Sequence, residues 1–231
     1  MGVIEPHHLR YYSEVTASEV EWLWYPYIPF GKITLVQGDP GDGKTTLALH
    51  IASVLSRGGM MPLNGPAFSP CNTIYQSAED NPSDTIKPRL MREGADCSRI
   101  AFLNITDKPL TLMSGEWERA IRQAGARLLV IDPLQAYLGN DVRMQQAADM
   151  RQAMNHLSAV AERTKCAVVI IGHMNKANGG KSLYRGLGSI DIVAAARSVL
   201  LVGRSQDDNS IRVVAQIKNS AAVNKGEKPL E

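Results

Sequence analysis

Nine consecutive residues that follow a short apolar run have the composition of a phosphate-binding loop. Residues 38–45 match the pattern GxxxxGK[ST] at every required position, and with the next residue they read Gly38, Asp39, Pro40, Gly41, Asp42, Gly43, Lys44, Thr45 and Thr46. Glycines let the backbone curl so that successive N–H groups point at phosphate oxygens, and a helix that begins near Lys44 adds its positive N-terminal end. We therefore expect these residues to bind a nucleoside triphosphate, with Lys44 at the β- and γ-phosphates and the Thr45 hydroxyl on Mg²⁺.

An aspartate at the end of a later apolar run supplies the second part of a magnesium site. Asp132 follows residues 128–131, which read as a buried strand. Because the carboxyl ends of parallel strands face the ligand crevice, Asp132 is expected to order the Mg²⁺ shell through a water molecule. A turn started by Asp132-Pro133 is the alternative interpretation, and the presence of the phosphate-binding loop favours the metal site.

The acid that orients the attacking water has to come from another segment. Many ATPases place a glutamate directly after the aspartate of the strand, but this chain has Pro133 there. Glu79 lies just past the tip of the second predicted strand and is our candidate for the base. Asp80 is the neighbouring competitor, and either acid could instead be one that simply favours a helix N-terminus.

Residues 172–188 indicate which nucleotide base is bound and which type of reaction is catalysed. Asn178 stands where a guanine-reading Asn-Lys-x-Asp motif needs an aspartate, so ATP is expected rather than GTP. A small-molecule kinase would carry an arginine-rich lid, and this stretch contains one arginine, Arg185, with Lys176 and Lys181.

The elements that must position these residues are short apolar runs that alternate with helical patterns. The predicted strands are 33–37, 73–77, 100–103, 127–131 and 166–171, and the predicted helices are 45–56, 114–124 and 145–164. Asn81-Pro82 predicts a helix start, with asparagine as the cap and proline at the first helical position. Residues 199–202 and 211–217 predict a C-terminal β-hairpin. The alternation predicts an α/β fold, with a mostly parallel twisted sheet and helices on both faces.

Residues 1–30 differ from the remainder of the chain, because they are irregular and rich in aromatic side chains. We expect this segment to pack its rings on the edge of the domain or on a neighbouring subunit, and we assign residues 31–231 to one ATPase domain. A platform on which nucleic-acid bases stack is the alternative for residues 1–30, but few basic residues lie between the rings.

The composition fits one large α/β domain. The chain has 231 residues and a net charge of +2, which is too small to indicate a nucleic-acid partner. Its three cysteines, Cys71, Cys97 and Cys166, form no CxxC pair, so neither a disulfide framework nor a zinc site is expected. We expect no membrane span and no signal peptide, and hence a cytoplasmic location.

Taken together, the motifs resemble one group of ATPases. From about Trp22 onward the sequence resembles the RepA-like hexameric replicative helicases, a group within the RecA-like P-loop NTPases. The resemblance rests on the segments 38–45, 77–80, 131–134, 172–176, 185–197 and 218–219. It implies a RecA-like fold for the α/β core. Members of the group often continue past the position of Glu231, so the chain is expected to hold the ATPase core rather than a complete helicase.

The resemblance also implies roles for individual residues. Glu79 corresponds to the catalytic glutamate and His173 to the sensor of the γ-phosphate. Arg197 corresponds to an arginine finger supplied to the neighbouring subunit, and the resemblance implies a similar role for Lys218. Loop residues Lys176 and Lys181 would line a central channel beside a DNA backbone. The ordinary alternatives are a strand-end histidine, a helix-end arginine and a solvated glycine-rich loop.

The resulting functional hypothesis is a Mg²⁺-dependent ATP hydrolase that works as a DNA-helicase or DNA-translocating motor core in replication or recombination. It would form a homo-oligomer, expected to be a hexameric ring, on single-stranded DNA. A non-motor ATP-binding regulatory module whose assembly depends on nucleotide is the first alternative, and a P-loop small-molecule kinase is the second. DNA-stimulated turnover distinguishes the motor from the regulatory module, and phosphate transfer to an acceptor other than water identifies the kinase.

Overall fold

The computed structural model describes residues 9–63, 65–105, 109–139, 147–173 and 190–221, and the side chains of Ala147, His173 and Ile190 are outside that description. The described strands are β1 (Trp22–Trp24), β2 (Ile28–Pro29), β3 (Ile33–Gly38), β4 (Gly59–Met60), β5 (Ala67–Phe68), β6 (Asn72–Ser77), β7 (Ile100–Ala101), β8 (Ala126–Asp132), β9 (Ala167–His173), β10 (Ser198–Arg204) and β11 (Arg212–Asn219). The described α-helices are α1 (Lys44–Arg57), α2 (Lys87–Arg92), α3 (Glu116–Ala124), α4 (Ala147–Thr164) and α5 (Ile190–Ala195).

Seven of these strands form one sheet in the order β11-β10-β3-β9-β8-β6-β7. All neighbours are parallel except β10 and β11, which form an antiparallel hairpin. The register brings the strand tips together, since Gly38 pairs with His173 and Ser77 pairs with Asp132. The carboxyl ends of β3, β6, β8 and β9 therefore lie along one edge, where an α/β sheet binds its ligand.

Helices cover both faces of the sheet, and each face has its own apolar core. On one face α1 and α2 pack through Leu49, Ile51 and Leu90 against strand residues such as Val36 and Val130. On the other face the packing residues come from α3, α4 and α5 and include Trp117, Met154, Leu157 and Ile192. Successive residues of a strand point to opposite faces, which explains why β8 and β9 contain continuous apolar runs rather than an alternating pattern. The predicted α/β fold, with its mostly parallel sheet and C-terminal hairpin, is confirmed.

Part of the aromatic N-terminal segment packs on the α1 face of the sheet. Trp24, Tyr27 and Phe30 are buried with the residues of α1, and the Trp24 indole donates a hydrogen bond to the carbonyl of Pro62 at 3.1 Å. Tyr11 and Tyr12 are exposed. The aromatic rings of the segment thus divide into a group in the core and a group at the surface, and the domain boundary at residue 30 stays a prediction.

The third predicted strand is shorter than expected, because a side chain replaces part of its pairing. We predicted residues 100–103, but β7 ends at Ala101. The amide group of Gln76 then bonds to the backbone of Leu103, accepting from its N–H at 2.8 Å and donating to its carbonyl at 3.4 Å. A side-chain amide has the same donor and acceptor as a peptide group. The Gln76 amide therefore satisfies the backbone hydrogen bonds of Leu103, which lies beyond the end of β7.

Two further expectations can be compared with the described residues. Cys71, Cys97 and Cys166 are free thiols. Within the described ranges, none of the helices has both the length and the hydropathy needed to cross a bilayer.

Candidate nucleotide site

The loop between β3 and α1 has a backbone that requires glycine at three positions. Gly41 and Gly43 have φ angles of +82° and +100°, in the left-handed region that side chains with a Cβ rarely adopt. Gly38 is required for a different reason, since a Cβ there would lie 2.3 Å from the carbonyl oxygen of Val202 in β10. The hairpin strand therefore packs directly on the start of the loop, and only glycine permits that approach.

The Lys44 side chain lies inside the loop and connects the end of the loop to its start through hydrogen bonds. Its Nζ donates to the carbonyl oxygens of Gly38 at 2.9 Å and Asp39 at 2.8 Å, and the residue is buried. Burial lowers the pKa of the Lys44 ammonium, whereas nearby carboxylates, Asp42 foremost, raise it. The arrangement holds a cation at the centre of the loop, where phosphate oxygens are expected.

One carboxylate oxygen joins the loop to the tip of β8. Asp132 Oδ2 accepts a hydrogen bond from Thr45 Oγ1 at 2.9 Å and another from the Tyr75 hydroxyl at 2.8 Å. Thr45 is the second residue of α1, and Tyr75 lies in β6 two residues before Ser77, which pairs with Asp132. The sequence assigned both residues to a magnesium site; that role stays a prediction, and the structure shows that their side chains are hydrogen-bonded to each other.

The electrostatics of this cluster are set by burial. Burial raises the pKa of the Asp132 carboxyl, and the hydrogen bonds from Tyr75 and Thr45 oppose that rise. The pKa of the Tyr75 hydroxyl is raised well above its usual value, first by burial and then by the Asp132 charge. The two hydroxyls therefore stabilise a carboxylate that water reaches poorly, since the residue is 4% exposed.

A cavity of about 550 Å³ opens beside the loop, and Glu79 lines it together with Lys44, Thr45 and Thr46. Its neighbour Asp80 has other partners. The backbone N–H of Asp80 donates to Ser77 Oγ at 3.0 Å, and its carboxylate lies 3.3 Å from Arg89. Of the two acids that the sequence left open, Glu79 is the one that faces the cavity of the phosphate-binding loop.

Sequence reasoning missed two arginines on the same cavity. Arg89 and Arg92 are three residues apart in α2, so they share a face of the helix, and both line the cavity. The Asn81 cap starts this helical segment, because its side chain accepts from the Ser83 N–H at 2.8 Å. The sequence did contain a signal for them. A helix start is predicted at Asn81, just after Glu79, and the two arginines follow it at helical spacing.

Two more arginines reach the loop from the hairpin. Arg204 at the end of β10 donates to the Gly41 carbonyl at 3.2 Å and lies 3.6 Å from the Asp42 carboxylate. Arg212 pairs with Arg204 across the hairpin, and its side chain packs beside Gly43. The sequence predicted the hairpin, but it contained no signal that β10 pairs with β3 and so brings both arginines to the loop.

The remaining predicted residues lie in different places. The backbone of His173 pairs with Gly38, which puts the residue at the tip of the strand next to the loop; its side chain is not described. Arg197 is exposed, and its N–H donates at 2.9 Å to Ile33, the first residue of β3, so it lies at the opposite edge of the sheet. Lys176 and Lys181 fall outside the described residues.

Lys218 also lies at that opposite edge and has a structural role there. It is paired with Val199, and its Nζ donates to the carbonyls of Val193, Ala194 and Ala196 at 2.7–3.0 Å. A cation at these carbonyls caps the C-terminal end of α5. The structure thus groups Lys44, Thr45, Glu79 and Asp132 at one edge, with Arg197 and Lys218 at the other.

The oxygen donors at the loop fit a magnesium ion better than a transition metal. Mg²⁺ prefers hard oxygen ligands and is commonly held by one or two protein groups together with substrate phosphates and water. The Thr45 hydroxyl and the Asp132 carboxylate, which lie 2.9 Å apart, provide such a pair. Among the described residues, no cluster of three or more histidine, cysteine or acidic side chains could hold a metal alone.

Comparison with known proteins agrees with this fold. A family model described as an AAA domain matches residues 11–179, and the chain belongs to that family. The chain is therefore a P-loop NTPase domain of the RecA-like type.

The chain is also similar to bacterial DNA repair proteins named RadA. Identity is 28% with the protein of Halalkalibacterium halodurans, 26% with that of Bacillus subtilis and 27% with that of Streptococcus pneumoniae. Each match covers 148 residues, or 63% of this chain. It spans 28% of the first two relatives and 31% of the third, so this chain corresponds to less than a third of their length.

Proposed function

We propose that this protein is a Mg²⁺-dependent ATP hydrolase that serves as a DNA-translocating or helicase motor core of the RepA-like type. The observation that carries the hydrolase assignment is the hydrogen bond between Thr45 and Asp132 beside Lys44. It joins the phosphate-binding loop to a strand-tip acid in the way that a Mg²⁺–nucleotide complex requires. The cavity next to it has room for a ligand and is lined by Glu79.

Each residue of the site has a proposed task. Lys44 and the loop N–H groups bind the β- and γ-phosphates, while Thr45 and Asp132 hold Mg²⁺, with Asp132 acting through a water molecule. When bound, Mg²⁺ neutralises negative charge on the phosphate oxygens. Glu79 accepts a hydrogen bond from the attacking water and orients it in line with the leaving group. His173 senses the γ-phosphate from the tip of β9.

The DNA partner is supported by similarity rather than by contacts. The RadA relatives are described as DNA repair proteins, and the matched segment spans 63% of this chain. We propose that the loop carrying Lys176 and Lys181 contacts the phosphates of single-stranded DNA, because lysines bind a nucleic-acid backbone without regard to sequence.

The proposed assembly is a homo-oligomeric ring, with a hexamer as the expected size. Arg197 is exposed at the edge of the sheet opposite to its own loop. A strand rises ~3.3 Å per residue, so the length of β3 puts Arg197 roughly 17 Å from Gly38. Arg197 is therefore proposed to act on the nucleotide of a neighbouring subunit, where an arginine finger raises turnover by ~10³–10⁵.

The test is ATP hydrolysis measured with and without single-stranded DNA, alongside the mass in solution. We expect Mg²⁺-dependent phosphate release that DNA stimulates. Lys44→Ala should abolish release while retaining the wild-type circular dichroism spectrum, because it removes the cation at the centre of the loop. Wild-type turnover in Lys44→Ala would refute the site. If single-stranded DNA does not change the rate of hydrolysis, the ATPase assignment stands and the assignment as a DNA motor is refuted.

A further inference from the structure

The buried hydroxyl of Tyr75 lies in the magnesium site but has no place in the mechanism above. We propose that Tyr75 is a positioning residue that orients the Asp132 carboxylate toward the Mg²⁺–nucleotide complex. The inference rests on the proposed function, because it concerns the same site. Its evidence is the 2.8 Å hydrogen bond from the Tyr75 hydroxyl to Asp132 Oδ2.

The geometry gives the two carboxylate oxygens different tasks. Oδ2 accepts from both Tyr75 and Thr45, at 2.8 Å and 2.9 Å. Among the described residues, no side chain donates to Oδ1. Two donors on Oδ2 prevent rotation of the carboxylate about its last bond, and they leave Oδ1 as the oxygen that can accept from a metal-bound water. Partners that orient a group in this way typically change metal affinity 10–100-fold when they are removed.

The position of Tyr75 in β6 explains why it can do this. Tyr75 pairs with Val130, and Ser77 two residues later pairs with Asp132. Because side chains two residues apart share a face of the sheet, the ring of Tyr75 packs on the α1 side among apolar residues such as Leu49. The residue is 3% exposed. Among the described residues, the polar partners of its hydroxyl belong to the cluster of Asp132 and Thr45, so phenylalanine retains the packing and removes the bond to Asp132.

The experiment compares Tyr75→Phe with Tyr137→Phe. Tyr137 is a second buried tyrosine, and its hydroxyl forms no hydrogen bond with Asp132. Binding of a fluorescent ATP analogue is titrated with Mg²⁺, and binding of Mn²⁺ to the protein–ADP complex is followed by electron paramagnetic resonance. We expect Tyr75→Phe to need roughly 10-fold or more metal in both titrations, with kcat recovering at saturating Mg²⁺. Tyr137→Phe should match the wild type.

The outcomes separate this inference from the proposed function. If the wild-type protein shows no Mg²⁺-dependent nucleotide binding, the proposed function fails. If the wild type does bind and Tyr75→Phe has the same metal dependence, the positioning role alone is overturned. A metal dependence altered equally in Tyr137→Phe overturns it as well, because any lost core hydroxyl would then suffice.

If Tyr75→Phe does not fold, a fluorine label at position 75 provides a second test of the inference. Fluorotyrosine incorporated at position 75 keeps the hydroxyl, and its ¹⁹F resonance reports on the ring. We expect that resonance to shift as Mg²⁺ is added to the nucleotide complex, with the midpoint of the binding titration. A resonance that stays unchanged through saturation overturns the inference.

Discussion

At the level of single residues, Glu79 and Asp80 look equivalent in the sequence but have different surroundings in the structure. Glu79 lines the cavity next to Lys44, Thr45 and Thr46. The carboxylate of Asp80 lies beside Arg89, and its backbone bonds to Ser77. Asp80 therefore stabilises the turn and the entry into α2, whereas Glu79 is placed to contact a ligand of the loop.

This difference predicts opposite outcomes for two matched variants. Glu79→Gln should hydrolyse ATP at least ~100-fold more slowly, since losing a general base costs about that much, and it should still bind ATP and Mg²⁺. Asp80→Asn should retain most of the activity, because the contact between its carboxylate and Arg89 is exposed. Steady-state phosphate release and nucleotide binding measure both. A large loss in Asp80→Asn with none in Glu79→Gln would reverse the assignment.

At the level of elements, the pairing of β10 with β3 shapes the phosphate-binding loop. The carbonyl of Val202 lies against Gly38, and Arg204 at the end of the same strand bonds to Gly41. The C-terminal hairpin thus braces the loop from outside, although the two segments are far apart in the chain.

We predict that Gly38→Ala disrupts this brace. The added methyl would lie 2.3 Å from the Val202 carbonyl, and because that oxygen belongs to the backbone, the strand itself must shift. Overpacking of this kind costs about 1–3 kcal/mol, so the melting temperature and ATP binding should both fall. Gly203→Ala in the same hairpin is the control, because its Cβ would meet no atom within 4 Å. Equal behaviour of the two variants would show that the close approach is unimportant.

A second feature at this level is the ion pair that fastens α3 to α4. Glu118 in α3 accepts from Arg163 in α4 and from Arg122 in its own helix. These hydrogen bonds, from Arg163 first and then Arg122, lower the pKa of Glu118 from 4.5 to about 2. A lowered carboxyl pKa stabilises the folded protein above the ordinary pKa, and that stabilisation is lost as the pH falls through the lowered one.

The expected result is a pH-dependent effect of Glu118→Gln. Its melting temperature should lie slightly below that of the wild type at neutral pH, because exposed ion pairs contribute little. The gap should be constant above about pH 4.5 and close as the pH falls toward 2. Glu162→Gln in α4 serves as a charge control, since its only described ion pair is a 3.6 Å contact with Lys32. A gap that widens in acid would contradict the linkage.

At the level of the whole molecule, the site residues lie at one edge of the sheet and Arg197 at the other. We predict that mixing two inactive variants, Lys44→Ala and Arg197→Ala, restores part of the ATPase activity, because some interfaces in mixed rings retain both residues. Rates are compared with those of each variant alone, and mass measurements establish that mixed assemblies form. No recovery in such assemblies, or full activity in a strict monomer, would exclude a finger supplied by Arg197.

The local features of this protein were predictable because their causes are local. The loop at residues 38–45 needs left-handed backbone conformations that residues other than glycine rarely adopt. Gly41 and Gly43 have these conformations. Largely apolar runs bounded by turns identified the strands of the sheet, since parallel strands covered on both faces are predominantly apolar. The Asn81 cap and the acid Asp132 at a strand tip were likewise evident from short segments.

Tertiary structure alone decided which distant segments meet. The register of β6 and β8 placed the Tyr75 hydroxyl on Asp132, and the pairing of β10 with β3 brought Arg204 to the loop. The same parallel pairing put Arg197 at the edge away from the loop. A sequence pattern records the period and polarity of each strand but not its neighbour in the sheet. The identity of the neighbouring strand therefore comes from packing of the entire domain.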